Sequence, residues 1–172
     1  LKYNKHYLEF TERFNQIQEI RGVIRVMTSR MNRTSKARKP KVLAVDDVSV
    51  VLNAINVALG KDYEVYTLNK AEHVGMFLIR TTPDLFILDI EMPGMSGYEL
   101  VKVIRDSDKH KNTPIIFLTG NATVMNLQAA MELGVADFIA KPVDPEELLK
   151  RVKEKIKNYK ILYGDINTGG TP

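Results

Sequence analysis

Four short apolar runs each end in a polar residue that can do chemistry. Val42-Leu43-Ala44-Val45 leads into Asp46 and Asp47, and Leu85-Phe86-Ile87-Leu88 into Asp89. Ile115-Ile116-Phe117-Leu118 leads into Thr119, and Phe138-Ile139-Ala140 into Lys141. Three carboxylates gathered in one place repel one another and raise each other's pKa unless a cation joins them. Oxygen-only donors favour Mg2+, with Mn2+ as the alternative. Asp89 is the candidate nucleophile, because Ile90-Glu91-Met92-Pro93-Gly94 turns the chain sharply away behind it and exposes a carboxylate that can form an aspartyl phosphate. Lys141 offers a point charge and Thr119 a hydroxyl donor for phosphoryl oxygens. The set fits metal-assisted transfer of a phosphoryl group to a carboxylate.

These groups meet only if the runs are strands of one sheet. Each run has the length and composition of a strand buried on both faces, as in a parallel sheet covered by helices. Strands are expected at 42–46, 63–68, 85–89, 114–119 and 136–140, alternating with helices at 48–59, 70–80, 97–108, 123–133 and 145–160. Ser96 with Glu99 forms a capping box for the third helix. Asp144-Pro145-Glu146-Glu147 gives the last one a cap, a proline at its first position and two acids in its first turn. Five βα units predict an α/β, doubly wound five-stranded parallel sheet, flavodoxin-like in order 2-1-3-4-5, whose ligands sit beyond the carboxyl ends of the strands.

The chain has 172 residues, enough for one domain and an appendage. Residues 1–40 carry ten Lys/Arg and three Asp/Glu, and residues 41–172 carry fifteen and eighteen, so a net of +4 divides into +7 and −3. Basicity belongs to the N-terminal arm, and the globular part is not basic throughout as many nucleic-acid binders are. Within 1–31, Tyr7, Phe10, Phe14, Ile17, Ile24 and Met31 follow a heptad-like stripe, interrupted by Arg21 and Thr28. This N-terminal helical arm either packs on a domain or forms a dimerising signalling helix. Residues 32–40 read as a basic linker closed by Pro40, 41–160 as the globular domain, and 161–172 as a flexible tail. No cysteine is present, which excludes disulfides and zinc–thiolate sites and fits a cytoplasmic location. No apolar run is long enough to span a membrane. The start at Leu1 reads as a fragment, a piece of a larger regulator or hybrid kinase.

Val-Asp-Asp at 45–47, Ile-Leu-Asp-Ile-Glu-Met-Pro-Gly-Met-Ser-Gly at 87–97, Leu-Thr-Gly at 118–120 and Phe-Ile-Ala-Lys-Pro at 138–142 resemble the response-regulator receiver domain of two-component signalling. The resemblance covers about residues 40–160. It implies Asp46 and Asp47 as the acidic pair, Asp89 as the phosphoacceptor, Thr119 as the switch hydroxyl and Lys141 as the phosphate-binding lysine. It also implies a metal contact from the backbone carbonyl of Glu91 and a cis Lys141–Pro142 peptide. Phe138 falls where receivers carry their aromatic switch residue, often tyrosine; packing in the core is the equal alternative. Glu91 and Asn121 fall where similar proteins tune the lifetime of the acyl phosphate. The implied partners are a histidine kinase or phosphotransfer protein as donor and an output protein or effector domain as recipient, signalled through the 123–160 face. Such a protein catalyses only its own phosphorylation and dephosphorylation.

Two other classes share part of this chemistry. A haloacid-dehalogenase-like phosphatase also uses an aspartate, Mg2+, a hydroxyl and a lysine, but it places a second Asp two residues after the nucleophile. Glu91 stands there, and the acidic pair lies on another strand. Nucleic-acid binding through Arg30, Arg33, Lys36, Arg38, Lys39 and Lys41 lacks a reading module. The basic face of the last helix (Lys150, Arg151, Lys153, Lys157, Lys160) reads as solvated. His6, His73 and His110 sit in no phosphotransfer motif, so the donor is another chain or segment.

Overall fold

The computed structural model describes residues 38–120 and 129–164. The expected N-terminal helix, most of the linker, Asn121, the first part of the expected 123–133 helix and the end of the tail lie outside them. The chain divides at Arg38/Lys39, and the fold belongs to the second unit. Five strands, β1 (Lys41–Val45), β2 (Glu64–Leu68), β3 (Leu85–Asp89), β4 (Ile115–Thr119) and β5 (Asp137–Ala140), form one sheet in the order β2-β1-β3-β4-β5. All pairings are parallel. The helices are α1 (Ser49–Leu59), α2 (Val74–Arg80), α3 (Gly97–Arg105) and α4 (Pro145–Tyr163), and residues 129–132 are also helical.

Side chains alternate across a strand, so each buried strand feeds two cores. Val42, Ala44, Leu85, Ile87, Ile116 and Leu118 pack with Leu52, Ile55 and Leu59 of α1 and Leu148, Val152 and Ile156 of α4. Leu43, Val45, Phe86, Leu88, Ile115 and Phe117 pack on the other face with Val74 of α2, Leu100, Val101 and Ile104 of α3, and Ala130. This is the double winding expected of uninterrupted apolar strands. β2 lies at the edge and is only half-buried.

The flavodoxin-like order and the five strands agree with the sequence reading; some helix ends differ. α3 stops at Arg105, and residues 106–107 lead to a 3-10 turn at Asp108–His110. Its apolar stripe ends at Ile104, and the Arg105 guanidinium donates instead to the carbonyls of His110, Thr113 and Gly134 at 2.7, 2.8 and 2.9 Å. A 3-10 turn at Ala71–His73 likewise precedes α2. α4 runs to Tyr163 and ends at Gly164, whose φ of +73° suits glycine. Both caps form: the Ser96 hydroxyl accepts from the Glu99 N–H and the Glu99 carboxylate from the Ser96 N–H, while Asp144 accepts from the Glu147 N–H at 2.8 Å. No helix among the described residues is long and apolar enough to cross a membrane.

Candidate functional site

Parallel register brings the four strand ends to one edge. Leu118 pairs with Asp89 and Thr119 with Ala140, while the Ile90 N–H donates to the Leu118 carbonyl and the Lys141 N–H to that of Thr119. Asp89, Thr119 and Lys141 thus enter the site from β3, β4 and β5. Asp46 follows β1, its N–H donating to the Leu68 carbonyl at 3.2 Å. The loop behind Asp89 closes through Gly97, whose N–H donates to the Ile90 carbonyl at 2.9 Å. A Cβ on Gly97 would collide with the Asp89 carbonyl oxygen and lie 2.9 Å from the Ile90 Cα, so only glycine lets α3 start this close to the strand end. Gly94 supplies the φ of +85° that turns the loop.

Asp46, Asp47 and Asp89 each present a carboxylate oxygen within 4.8 Å of the others. Asp46 and Asp89 are buried, whereas Asp47 is exposed. Lys141 Nζ lies 2.8 Å from Asp46 Oδ2 and 2.9 Å from Asp89 Oδ2, joining the two buried acids. Asp46 Oδ1 accepts from the Val48 N–H. Asp46 Oδ2 takes the Lys141 ammonium as its partner at 2.8 Å. Three carboxylates converging on one point, with a single ammonium among them, suit a hard divalent cation.

Burial pushes the Asp89 carboxyl above the ordinary carboxylate range; Lys141 and the Glu91 N–H pull it down, and Asp46 raises it further. Burial pulls the Lys141 ammonium down, but Asp46 and Asp89 outweigh that and hold it above the ordinary lysine range. Burial and the neighbouring Asp46 charge together outweigh what the shared ammonium returns to Asp89, and a second cation would be welcome there.

All five residues read from the strand ends meet at this edge. Thr119 is buried. Phe138 is half-buried on β5 and packs with the second core, 6.1 Å from the Phe117 ring. Glu91 is exposed, and the Lys141–Pro142 peptide is cis.

Two features escaped the sequence reading. A cleft of about 600 Å3 adjoins Asp47 and is walled by Asn69, Lys70, Glu72, His73, Met92 and Pro93. The end of β2 obeys the same carboxyl-edge rule, which could have found Asn69 and Lys70. Asp137, at the start of β5, ties α4 to that strand through Arg151 at 2.9 Å and Lys155 at 3.0 Å. Burial raises its carboxyl, but Lys155, the Phe138 N–H and Arg151 together hold it below the usual range.

A doubly wound α/β domain with a lysine-closed acidic cluster at its carboxyl edge is the class so defined. The family model for the response regulator receiver domain matches residues 42–153. Regulatory protein VanR of Enterococcus faecium is 34% identical over 125 residues, covering 72% of this chain and 53% of VanR. The phosphate regulon transcriptional regulatory protein PhoB of Pseudomonas aeruginosa is 32% identical over 117 residues, 67% of this chain and 51% of PhoB. The chain thus spans about half the length of these curated relatives. Chemotaxis response regulator CheY4 of Vibrio cholerae superposes with a TM-score of 0.65 at 32% identity, covering 68% of this chain and 98% of CheY4. The receiver domain of sensor histidine kinase PA1611 from Pseudomonas aeruginosa, with a magnesium ion in its active-site cleft, superposes with a TM-score of 0.64 at 26% identity, covering 70% and 99%. The chain belongs to the response-regulator receiver family, the signalling domain of two-component systems.

Proposed function

We propose that Asp89 is the phosphoacceptor of this receiver, with Asp46, Asp47, Asp89 and the Glu91 carbonyl holding Mg2+ (or Mn2+). The observation that carries this is the convergence of three carboxylates, those of Asp46 and Asp89 buried and bridged by the Lys141 ammonium. When bound, Mg2+ supplies charge neutralisation for the carboxylates and for the incoming phosphoryl oxygens.

Asp89, ionised, attacks phosphorus in line. The bond from phosphorus to the phosphodonor breaks and its electron pair leaves with the donor, a phosphohistidine of a histidine kinase or phosphotransfer protein. Lys141 gives part of its charge to the transferring group, which relieves its double pairing with Asp46 and Asp89. Thr119 donates its hydroxyl to the phosphoryl group, and Phe138 takes up the space that this movement opens. The 123–160 face then shifts population and signals to an output protein or effector domain. A tenfold change in the active:inactive ratio needs about 1.4 kcal/mol of differential contact, within the range of one charge-assisted hydrogen bond. Homodimerisation through the N-terminal helix and a cytoplasmic location complete the proposed setting.

Beryllofluoride with Mg2+, titrated while backbone amide resonances are followed, tests the switch. Saturable shifts at Thr119 and along Phe138–Lys141, lost in Asp89→Asn, support it. Shifts confined to Asp46 and Asp47, or surviving in the variant, contradict it.

A further inference from the structure

At the opposite end of the sheet, where the chain enters β4 and β5, lies the larger cleft, about 790 Å3. That volume is typical of small-molecule sites, which pair an apolar lining with a few placed charges. Its walls come from the ends of α3 and α4 and from the segments before the two strands. Tyr159, Leu162 and Tyr163 share one face of α4 by their i, i+3, i+4 spacing. The two tyrosine rings lie 5.1 Å apart, and Leu162 is 73% exposed. A large apolar side chain left in water at the mouth of a cleft is surface that a ligand would cover.

The charge in the lining is uneven. Arg105 at its floor is half-buried and held by three backbone carbonyls. Among the described residues no carboxylate lies within ion-pair distance of its guanidinium. Carbonyl dipoles orient such a cation without neutralising it. Lys102 and Lys111 add two exposed ammonium groups, and Lys155 is already paired with Asp137. Against them stand the carboxylates of Asp106 and Glu132. Aromatic faces beside an uncompensated guanidinium complement a flat ring system bearing an anionic group.

We infer that this cleft binds a small aromatic anion, a planar ring system carrying a carboxylate, sulfonate or phosphate. The rings lie against Tyr159, Tyr163 and Leu162, and the anion faces Arg105 and Lys111. The site is separate from the phosphoacceptor edge and does not depend on phosphorylation of Asp89.

The full 172-residue chain is titrated with 8-anilinonaphthalene-1-sulfonate and, separately, with the uncharged N-phenyl-1-naphthylamine. Near-UV circular dichroism checks that packing stays intact, because the sulfonate dye also lights up loosened cores. One saturable site is expected. Leu162→Asp and Lys111→Glu should each weaken the sulfonate by about tenfold, the equivalent of about 1.4 kcal/mol. Lys157→Glu, on α4 but outside the lining, should change it by less than about twofold, as an exposed charge remote from the ligand does. The neutral dye should bind more weakly and lose its response to Lys111→Glu. Absence of saturable binding, as when a second copy or residues 165–172 fill the cleft, overturns the inference. So does indifference to both lining variants, or equal affinity for the neutral dye.

Discussion

Replacing Lys141 by methionine keeps most of the stem and removes the ammonium that joins Asp46 to Asp89. Their side chains are 1% and 5% exposed, and that of Lys141 is 21% exposed. Removing one partner of a fully buried pair costs about 3–5 kcal/mol, and the partial exposure of Lys141 places this case near the lower end, about 3 kcal/mol. Two conditions should shrink the loss. With the competing ammonium gone, Mg2+ binds the variant's folded site more tightly than the wild type's, and at saturating Mg2+ each tenfold difference in Kd returns about 1.4 kcal/mol of the loss. Acid acts in the same direction. The Asp89 carboxyl already sits above its ordinary value, and removing Lys141 takes away the influence that lowers it. The folded variant therefore holds a proton that the unfolded chain releases, so its stability falls as pH rises from the ordinary carboxylate range through the raised folded value. Urea unfolding of wild type and Lys141→Met, at pH 7 and pH 5 and with and without Mg2+, measures all of this. A loss below about 0.5 kcal/mol, the scale of an ordinary surface substitution, would refute the reasoning. A larger loss that neither Mg2+ nor acid relieves would refute it equally.

Three more outcomes follow from other parts of the fold. His110 is 1% exposed, and burial, aided by the cations Lys109 and Arg105, lowers its imidazole from 6.5 to about 4. Its contribution is complete above pH 6.5 and is lost as pH falls towards 4, up to about 3 kcal/mol; His110→Gln should flatten the urea midpoint across that window. Gly97→Ala forces a methyl group against the Asp89 backbone, so thermal unfolding should show a loss of about 1–3 kcal/mol and calorimetry a weaker Mg2+ affinity. Asp144→Ala removes the cap of α4 and should cost about 1 kcal/mol in urea without changing Mg2+ binding.

The strand ends make most of the site legible in the sequence itself. A run such as Leu85–Leu88 states its burial on both faces, and a parallel sheet leaves Asp89 at one edge. The caps at Ser96 and Asp144 were equally local. Less visible was anything depending on how elements meet. The sequence offered Asp46 and Asp47 as an equal acidic pair, but packing made Asp46 the buried partner and left Asp47 exposed. Lys141 reads in sequence as a phosphate ligand; only the fold shows it as counter-ion to two acids. The end of α3 was missed because the turn that follows it is pinned by the Arg105 side chain on carbonyls up to 29 residues away, a long-range contact that no local propensity contains. The run of α4 through Ile161 and Leu162 placed two exposed apolar residues in helix rather than tail.

The central claim is that Asp89 accepts a phosphoryl group. Intact mass after incubation with acetyl phosphate and Mg2+ tests it most directly. One added phosphoryl group, stable to acid, labile to hydroxylamine, and absent both without Mg2+ and in Asp89→Asn, is the result expected. An unchanged mass, or an adduct that persists in Asp89→Asn, would contradict it.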